Sequence, residues 1–388
     1  MKKKVLFIIS NMESGGVSKS MSNLLNVVDT KTYDVDLFIL NPAGVFMDTI
    51  PSEINIIKDK RISLFFLDFP YNIPKLLKYG YFLDAIVRFL GAGIMFFNKG
   101  IGAWILSKRI KKLNKKYDLA VDFNGQHQLY YLIDRVKAKK KVTFFHSDYG
   151  KWPHYYSMDK RYMPKADFIF TISNKCVESL IKYFPQEKNK IGLFENITSP
   201  KLIRNWANEK VLESLDVNFE KLISVGHVSK AKGFDLAMGA ASILKSRGIN
   251  FKWYFIGEIA NRQYVTSLVT YHKLEKNIIF LGVQINPYPF IKQSDIFVHL
   301  SRFEGKSIAL DEAKILLKPI VVTNFSTVND QFRHRINASI CAMDVQDIAF
   351  HIEEILADFE LRRKYVNALR FSQKDTTMEL EKLYKLIK

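Results

Sequence analysis

Two cysteines in 388 residues, Cys176 and Cys341, are too few for a disulfide framework, and both sit in apolar surroundings far apart in the chain. They indicate buried structural thiols in a reducing compartment. No uncharged apolar run approaches the roughly 18–20 residues of a membrane span. The richest segment, FLDAIVRFLGAGIMFFNKGIGAWIL, is interrupted by Asp84, Arg88 and Lys99. The opening MKKKVLFIISNMESGG has the basic start of a signal peptide. Its apolar run, Val5 to Ile9, is too short for one, and a Gly-Gly turn stands where a cleavage site would be. It reads as a first β-strand. Neither a G-x4-G-K-S/T loop nor a G-x-G-x-x-G after a strand occurs, which counts against an NTPase and a dehydrogenase. The eight histidines never pair with acids or cysteines at ligand spacing, and no D-x-D follows a strand, so no metal site is expected.

Negative charge is also scarce, and unevenly so. The formal net charge is +19, and Lys60 to Lys141 holds 17 Lys/Arg against 5 Asp and no Glu. Such a field attracts an anionic partner: a membrane surface, a phosphorylated acceptor or nucleic acid. A solubilising lysine-rich surface explains part of the charge and less of its clustering. Nucleic acid has charge alone in its favour, because no binding module and no aromatic sheet face interleaved with Arg is legible. No nucleic-acid partner is expected.

What is present is a repeated alternation of strand and helix. Hydrophobic residues make up 48% of the chain, enough for a soluble protein with two ordinary cores. In the first half, strands are predicted at 5–10, 34–40, 54–57, 119–123, 141–146, 167–173 and 190–194. In the second half they fall at 221–226, 251–257, 277–282, 295–301, 319–324 and 338–343, with helices at 233–247, 261–275 and 306–317. Several runs are apolar without alternation, as parallel strands covered on both faces require. The pattern is α/β, doubly wound, twice over. Domains are expected at 1–200 and 218–370, with a helical 371–388 packing back on the first. The segment ENITSPKLIRNWANEKVLESLDVNFE between the two series reads as a linker.

Ligands of open α/β sheets bind beyond the carboxyl ends of the strands, which directs attention to SRFEGKSIALDEAKILLKPIVV, 301–322. Glu304 stands in a turn after a strand. Gly305 lets the backbone approach a ligand, Lys306, Ser307 and Ile308 open a helix whose N-terminus attracts anions, and Ser307 stands where a cap belongs. Glu312 lies about 12 Å further along if the spacing is wholly helical. Carboxylates that far apart do not share a metal or a proton. They suit an elongated ligand with hydroxyls at both ends and an anion between, which is the form of a nucleotide sugar.

EGKSIALDE resembles the E-x7-E signature of glycosyltransferase family 4, retaining enzymes of the GT-B fold. The resemblance implies two Rossmann-like doubly wound domains facing a central cleft, with Glu304 on the donor sugar and Glu312 on the ribose. Leu317 stands where the family usually has glycine. By the same resemblance, SNMESGGVSK places Gly15 and Gly16 near the donor diphosphate and acceptor, and VTFFHSD turns His146 to the donor sugar. ISVGHVSKAKGFDLA is similar to the G-R-x4-K-G segment, so Lys232 meets the donor phosphates, while His227 occupies the arginine position with a weaker, pH-dependent charge. FIGEIANRQY, with Glu258, is similar to the nucleotide-binding loop, with Ile259 in place of a glycine. LGVQINPYPF is similar to the base-contacting turn near Val283 to Pro287.

The implied activity is transfer of a hexose-type sugar from a nucleotide sugar, with UDP-sugars favoured, to a saccharide acceptor. No cofactor or metal is expected. The acceptor is expected to be lipid-linked, for instance on a polyprenyl diphosphate, in capsule or exopolysaccharide synthesis. A GT-B subunit without activity of its own is the alternative that His227 and Ile259 motivate. The basic, aromatic stretches DFPYNIPKLLKYGYFLDAIVRFL and NKGIGAWILSKRIKKLNKKYD have two readings: an interfacial helix on anionic lipid, or a helical pair packed on the first sheet with a solvated basic face. The expected location is the cytoplasm, or the inner face of the membrane as a peripheral protein.

Overall fold

The computed structural model describes residues 2–211 and 214–387. All thirteen predicted strands form. In the first half they are β1 (Lys3–Ile9), β2 (Tyr33–Ile39), β3 (Asn55–Ile57), β4 (Lys116–Asp122), β5 (Lys137–Phe145), β6 (Phe168–Thr171) and β7 (Ile191–Leu193). They build one sheet in the order β3-β2-β1-β4-β5-β6-β7, and every pairing is parallel. The apolar run Val5–Ile9 is buried throughout, since helices cover both faces of a parallel sheet.

The second half contributes β8 (Glu220–Val225), β9 (Phe251–Ile256), β10 (Ile278–Gly282), β11 (Ile296–His299), β12 (Ile320–Thr323) and β13 (Ser339–Cys341). Their order is β10-β9-β8-β11-β12-β13, again with parallel pairing throughout. Each sheet reverses its winding direction once, between β1 and β4 in the first and between β8 and β11 in the second. At such a switch point the connecting helices leave to opposite faces, and the strand ends open a crevice.

The chain divides into two compact units: Met1–Glu13, Val17–Ile197 and Thr377–Lys388 in one, Ser14–Gly16 and Thr198–Thr376 in the other. Within the first unit, Leu380, Leu383 and Ile387 of the C-terminal segment are buried in the same core as Val5, Phe7 and Leu37. Cys176 and Cys341 are both buried, and neither is in a disulfide.

The stretch read as a linker is not featureless. It forms a helix, Pro200–Trp206, with Ser199 as N-cap and Pro200 at the first helical position, a start signal that Ser-Pro supplies on its own. Ile203, Ala207 and Leu215 of this stretch pack into a core of the second unit. Leu212 and Glu213 lie outside the described residues. Leu317 takes the left-handed conformation with φ 59°, as the glycine usual at that position would, and packs against the same core.

Gly233 decides the local geometry beside β11. It is left-handed, with φ 74° and ψ 28°, at the start of the helix Phe234–Ser246. A Cβ built there would lie 2.1 Å from the carbonyl oxygen of Leu300. Only glycine lets the loop after β8 close so tightly on the end of β11. Gly233→Ala is therefore expected to cost more than about 2 kcal/mol of unfolding free energy, read from urea denaturation. A cost below about 0.5 kcal/mol would contradict the close approach.

Candidate active site

The switch point of the second sheet is lined by residues that follow β8 and β11. A small pocket there is bounded by Gly226, His227, Lys232 and Gly233 on one side and by His299 and Ser301 on the other. Glu304 anchors the arrangement. Its Oε1 accepts from Lys232 Nζ at 2.6 Å, from Ser301 Oγ at 2.7 Å and from His299 Nε2 at 2.9 Å. His299 donates here, because an ionised carboxylate only accepts.

The Glu304 side chain is 13% exposed. Burial alone would raise its pKa; the His299 hydrogen bond and the charge of Lys232 outweigh that and hold it at about 2. The site thus keeps a full negative charge in a partly dry place, with one oxygen saturated by three donors. No hydrogen bond from the described residues reaches Oε2.

Two further contacts hold these loops together. Arg302 makes a two-pronged pair with Asp235 at 2.8 and 2.7 Å, and its backbone N–H donates to Ala231 O at 3.0 Å. The loop carrying Lys232 is thereby fastened to the turn carrying Glu304. Gln331 holds the start of the helix Ile308–Ile315, accepting from Ser307 N at 3.2 Å and donating to Ser307 O at 2.9 Å and Asp311 Oδ1 at 3.0 Å. Ser307 does occupy the N-cap position, but its hydroxyl makes no capping bond. Gln331 instead holds the Ser307 backbone at the start of the helix.

Glu312 has separate surroundings. It is buried, and its Oε1 accepts from Tyr288 Oη at 2.7 Å. Tyr288 is itself fully buried and lies parallel to Trp206 with ring centres 5.9 Å apart. Burial, reinforced by the Glu312 charge, pushes the phenol well above its ordinary pKa. The spacing of eight residues thus gives one carboxylate to the strand-end turn and one to a helix face packed on the segment 286–288. Gly305 and Ile308 are buried between the two, and Lys306 Nζ is 3.8 Å from Asp311.

The other candidates lie as follows. His227 is half-buried in the loop after β8. That loop runs beside the one after β9: Val228 N donates to Glu258 O at 2.8 Å, and Val228 bridges Ile259 in parallel. Ile259 packs its side chain onto the core below, which accommodates it where the family has glycine. Glu258 is exposed, Val283 is 38% exposed, and Pro287 is buried at the start of the helix Tyr288–Gln293. A Cβ at Gly15 or Gly16 would meet nothing within 4 Å, so the chain itself does not demand glycine at either position.

His146 belongs to the first unit and follows the last residue of β5. Its ring sits 4.6 Å from that of Phe123 and 5.7 Å from that of Phe144, and its Nε2 is buried with no hydrogen-bond partner among the described residues. Burial lowers its pKa to about 4. His299, Ser301, Arg302 and Gln331 were not singled out from the sequence. The signal available was a polar residue ending an apolar run: His299 closes DIFVH at the strand terminus beside the turn. Among the described residues no group of three or more His, Cys, Asp or Glu is placed to hold a metal ion.

Two six- and seven-stranded parallel sheets, each wound in both directions, make this a two-domain α/β protein of the GT-B fold. Residues 208–370 match the family model described as glycosyl transferases group 1. The N-acetylgalactosamine-N,N'-diacetylbacillosaminyl-diphospho-undecaprenol 4-alpha-N-acetylgalactosaminyltransferase of Campylobacter jejuni is 27% identical over 206 residues, 53% of this chain and 54% of that protein. The capsular polysaccharide biosynthesis glycosyltransferase CapM of Staphylococcus aureus is 27% identical over 245 residues, 59% of this chain and 64% of CapM. The crystal structure of Anabaena HepE in complex with UDP-glucose superposes with a TM-score of 0.70 at 13% identity, covering 98% of each chain. The chain spans about half the length of the first curated relatives it matches. Residues 208–370 are thus similar to the group 1 glycosyl transferases, and the chain as a whole shares the GT-B fold.

The Glu304 charge gives the fold an acid-sensitive link. Its folded pKa, about 2, lies below the ordinary 4.5. The stabilisation is fully present above the ordinary value and is lost as pH falls through the folded one, on the order of 3 kcal/mol in all. Glu304→Gln is expected to flatten the stability profile between about pH 4.5 and 2, measured by denaturant midpoints across that window. An unchanged slope would show that the carboxylate is not held by these donors.

Proposed function

We propose that the chain transfers a hexose-type sugar from a nucleotide-sugar donor, a UDP-sugar, to a saccharide acceptor with retention of anomeric configuration. The observation that carries this reading is the carboxylate of Glu304 beside Lys232 at the switch point of the second sheet. The place is where open α/β sheets take ligands, and a glycine required by the backbone brings the lysine there. In the proposed reaction the bond from the anomeric carbon to the donor phosphate breaks, and a bond to the acceptor oxygen forms on the same face. The acceptor proton passes to the departing phosphate oxygen, so no separate general base is called for.

Glu304 orients the sugar through Oε2, which no donor among the described residues engages. Lys232 leaves Glu304 enough to meet the diphosphate and stabilise its developing charge, with His227 beside it in the position the resemblance gives to arginine. Glu312 receives the ribose, and the turn from Val283 to Pro287 the base. Gly15 and Gly16 keep the diphosphate and acceptor side open, and His146 serves the donor sugar. These assignments rest on the family resemblance, supported by the local geometry. The reaction as proposed uses protein cations and no metal.

A UDP-sugar is favoured by the resemblance to HepE, whose structure holds UDP-glucose. A polyprenyl-diphosphate-linked saccharide acceptor, in capsule or exopolysaccharide synthesis, is favoured by the names of the Campylobacter and Staphylococcus relatives. Such an acceptor puts the reaction at the cytoplasmic face of a membrane, and peripheral placement there is part of the proposal. The second reading, a GT-B subunit without activity of its own, rests on His227 in the arginine position.

Purified protein is expected to gain thermal stability with UDP-sugars and not with GDP-sugars, and Glu312→Ala to lose that gain. Lys232→Ala is expected to lower donor turnover at least about 100-fold in a protein that is still folded at assay temperature, with a lower unliganded melting temperature because Glu304 loses a donor. No stabilisation by any nucleotide sugar, together with no donor hydrolysis, would favour the inactive-subunit reading. Turnover close to normal in Lys232→Ala would remove that lysine from the mechanism.

A further inference from the structure

We infer that the first unit carries a docking face for an anionic lipid bilayer, formed by the outer side of the helix Phe82–Phe97. The 33 residues from Phe69 to Ile101 hold 12 of the 25 large apolar side chains that are exposed on the described chain. Scattered single apolar residues need no explanation, but a concentration of this kind does. On the helix they form one stripe. Phe82, Phe89 and Phe96 repeat every seven residues, as do Leu83, Leu90 and Phe97, and Ile86 falls between the first two members of each series. Phe96 and Phe97 are 87% and 89% exposed. No charged side chain interrupts the stripe, since Asp84 is buried and Arg88 is turned partly inward.

The opposite side of the helix is firmly held, so the stripe is not a loose end. Buried Asp84 is paired with Arg61 at 2.9 Å and Arg109 at 2.7 Å. Gly91 lies where a Cβ would come within 2.9 Å of Leu106, and a Cβ at Gly102 would lie 2.1 Å from Met95 Cγ. The following helix, Lys99–Ser107, therefore packs directly on the inner side of Phe82–Phe97.

Charge identifies the occupant. Exposed Lys75 and Lys78 precede the helix, Lys99 follows it, and Lys111 and Lys112 are exposed further on. Of the five aspartates between Lys60 and Lys141, only Asp68 is exposed. An uncharged apolar stripe rimmed by lysines matches the boundary between acyl chains and anionic headgroups. A second copy of the chain would instead bring two lysine rims together. The helix is too short to span: among the described residues no helix is long and apolar enough to cross a membrane. At 16 residues it is about 24 Å long, suited to lying in the interfacial plane. The inference stands on the first unit alone and does not depend on the donor site.

The test is flotation of the full chain with vesicles of phosphatidylcholine alone and of phosphatidylcholine mixed with phosphatidylglycerol, beside the double variant Phe96→Ser/Phe97→Ser. Both positions are surface residues outside the donor site, so melting temperature and nucleotide-sugar stabilisation should be unchanged. The expected result is binding to the anionic vesicles that weakens with salt, and at least about tenfold weaker binding by the double variant. No binding to either vesicle would overturn the proposal. So would equal binding by the variant, or a concentration-dependent dimer that the double variant dissolves. Failure of the donor reading would leave these outcomes untouched and would show itself in nucleotide binding.

Discussion

An ionised carboxylate at a half-dry strand end is stable only while its donors are in place, and Glu304 has three on one oxygen. Each donor reaches it by a different local device. His299 is the last residue of β11, and Ser301 belongs to the turn that follows. Lys232 arrives from the loop after β8, which can close on Leu300 only because residue 233 is glycine. Removing one partner of such a cluster leaves an uncompensated charge, which costs more than the pair itself contributes. The Arg302–Asp235 pair and the Gln331 clamp keep the loops in register. The second sheet supplies the strand ends, and its change of winding direction supplies the crevice.

The two glutamates answer different demands. Glu304 is an open-ended acceptor at the mouth of the crevice, with one oxygen committed to the protein. Glu312 sits inside a packed face, tied to Tyr288 and thereby to the helix Pro200–Trp206 through the stacked Trp206. The eight-residue interval lets one short helix serve both places. An elongated ligand with polar groups at each end would meet a carboxylate at either end of this element, which is the physical content of the E-x7-E pattern.

Much of this was legible because parallel strands buried on both faces announce themselves as unbroken apolar runs. DIFVH, PIVV and FKWYFI are plain examples, and each became a strand within a residue or two of its predicted limits. The helix at 200–206 was passed over because its surroundings are irregular and polar, although Ser199 and Pro200 signal a helix start. His299 was hidden by the apolar run it terminates. Arg302, Asp235 and Gln331 come from separate parts of the chain, two loops and a helix start, and only the tertiary fold brings them together. Ser307 carries the residue type of a cap without the bond, and its backbone is held by Gln331, 24 residues later. The two readings left open for the segment after Lys60 could not be separated from composition, because both need an apolar helix beside lysines. The distinction lies in which side of that helix is covered.

The crevice between β8 and β11 is proposed to hold the diphosphate of a nucleotide sugar. A crystal structure of the chain soaked with uridine diphosphate tests it most directly. The account predicts phosphate oxygens within hydrogen-bond distance of Lys232 Nζ, the lysine drawn off Glu304, and the ribose hydroxyls at Glu312. A diphosphate bound elsewhere on the chain, with the Lys232–Glu304 pair intact, would contradict it.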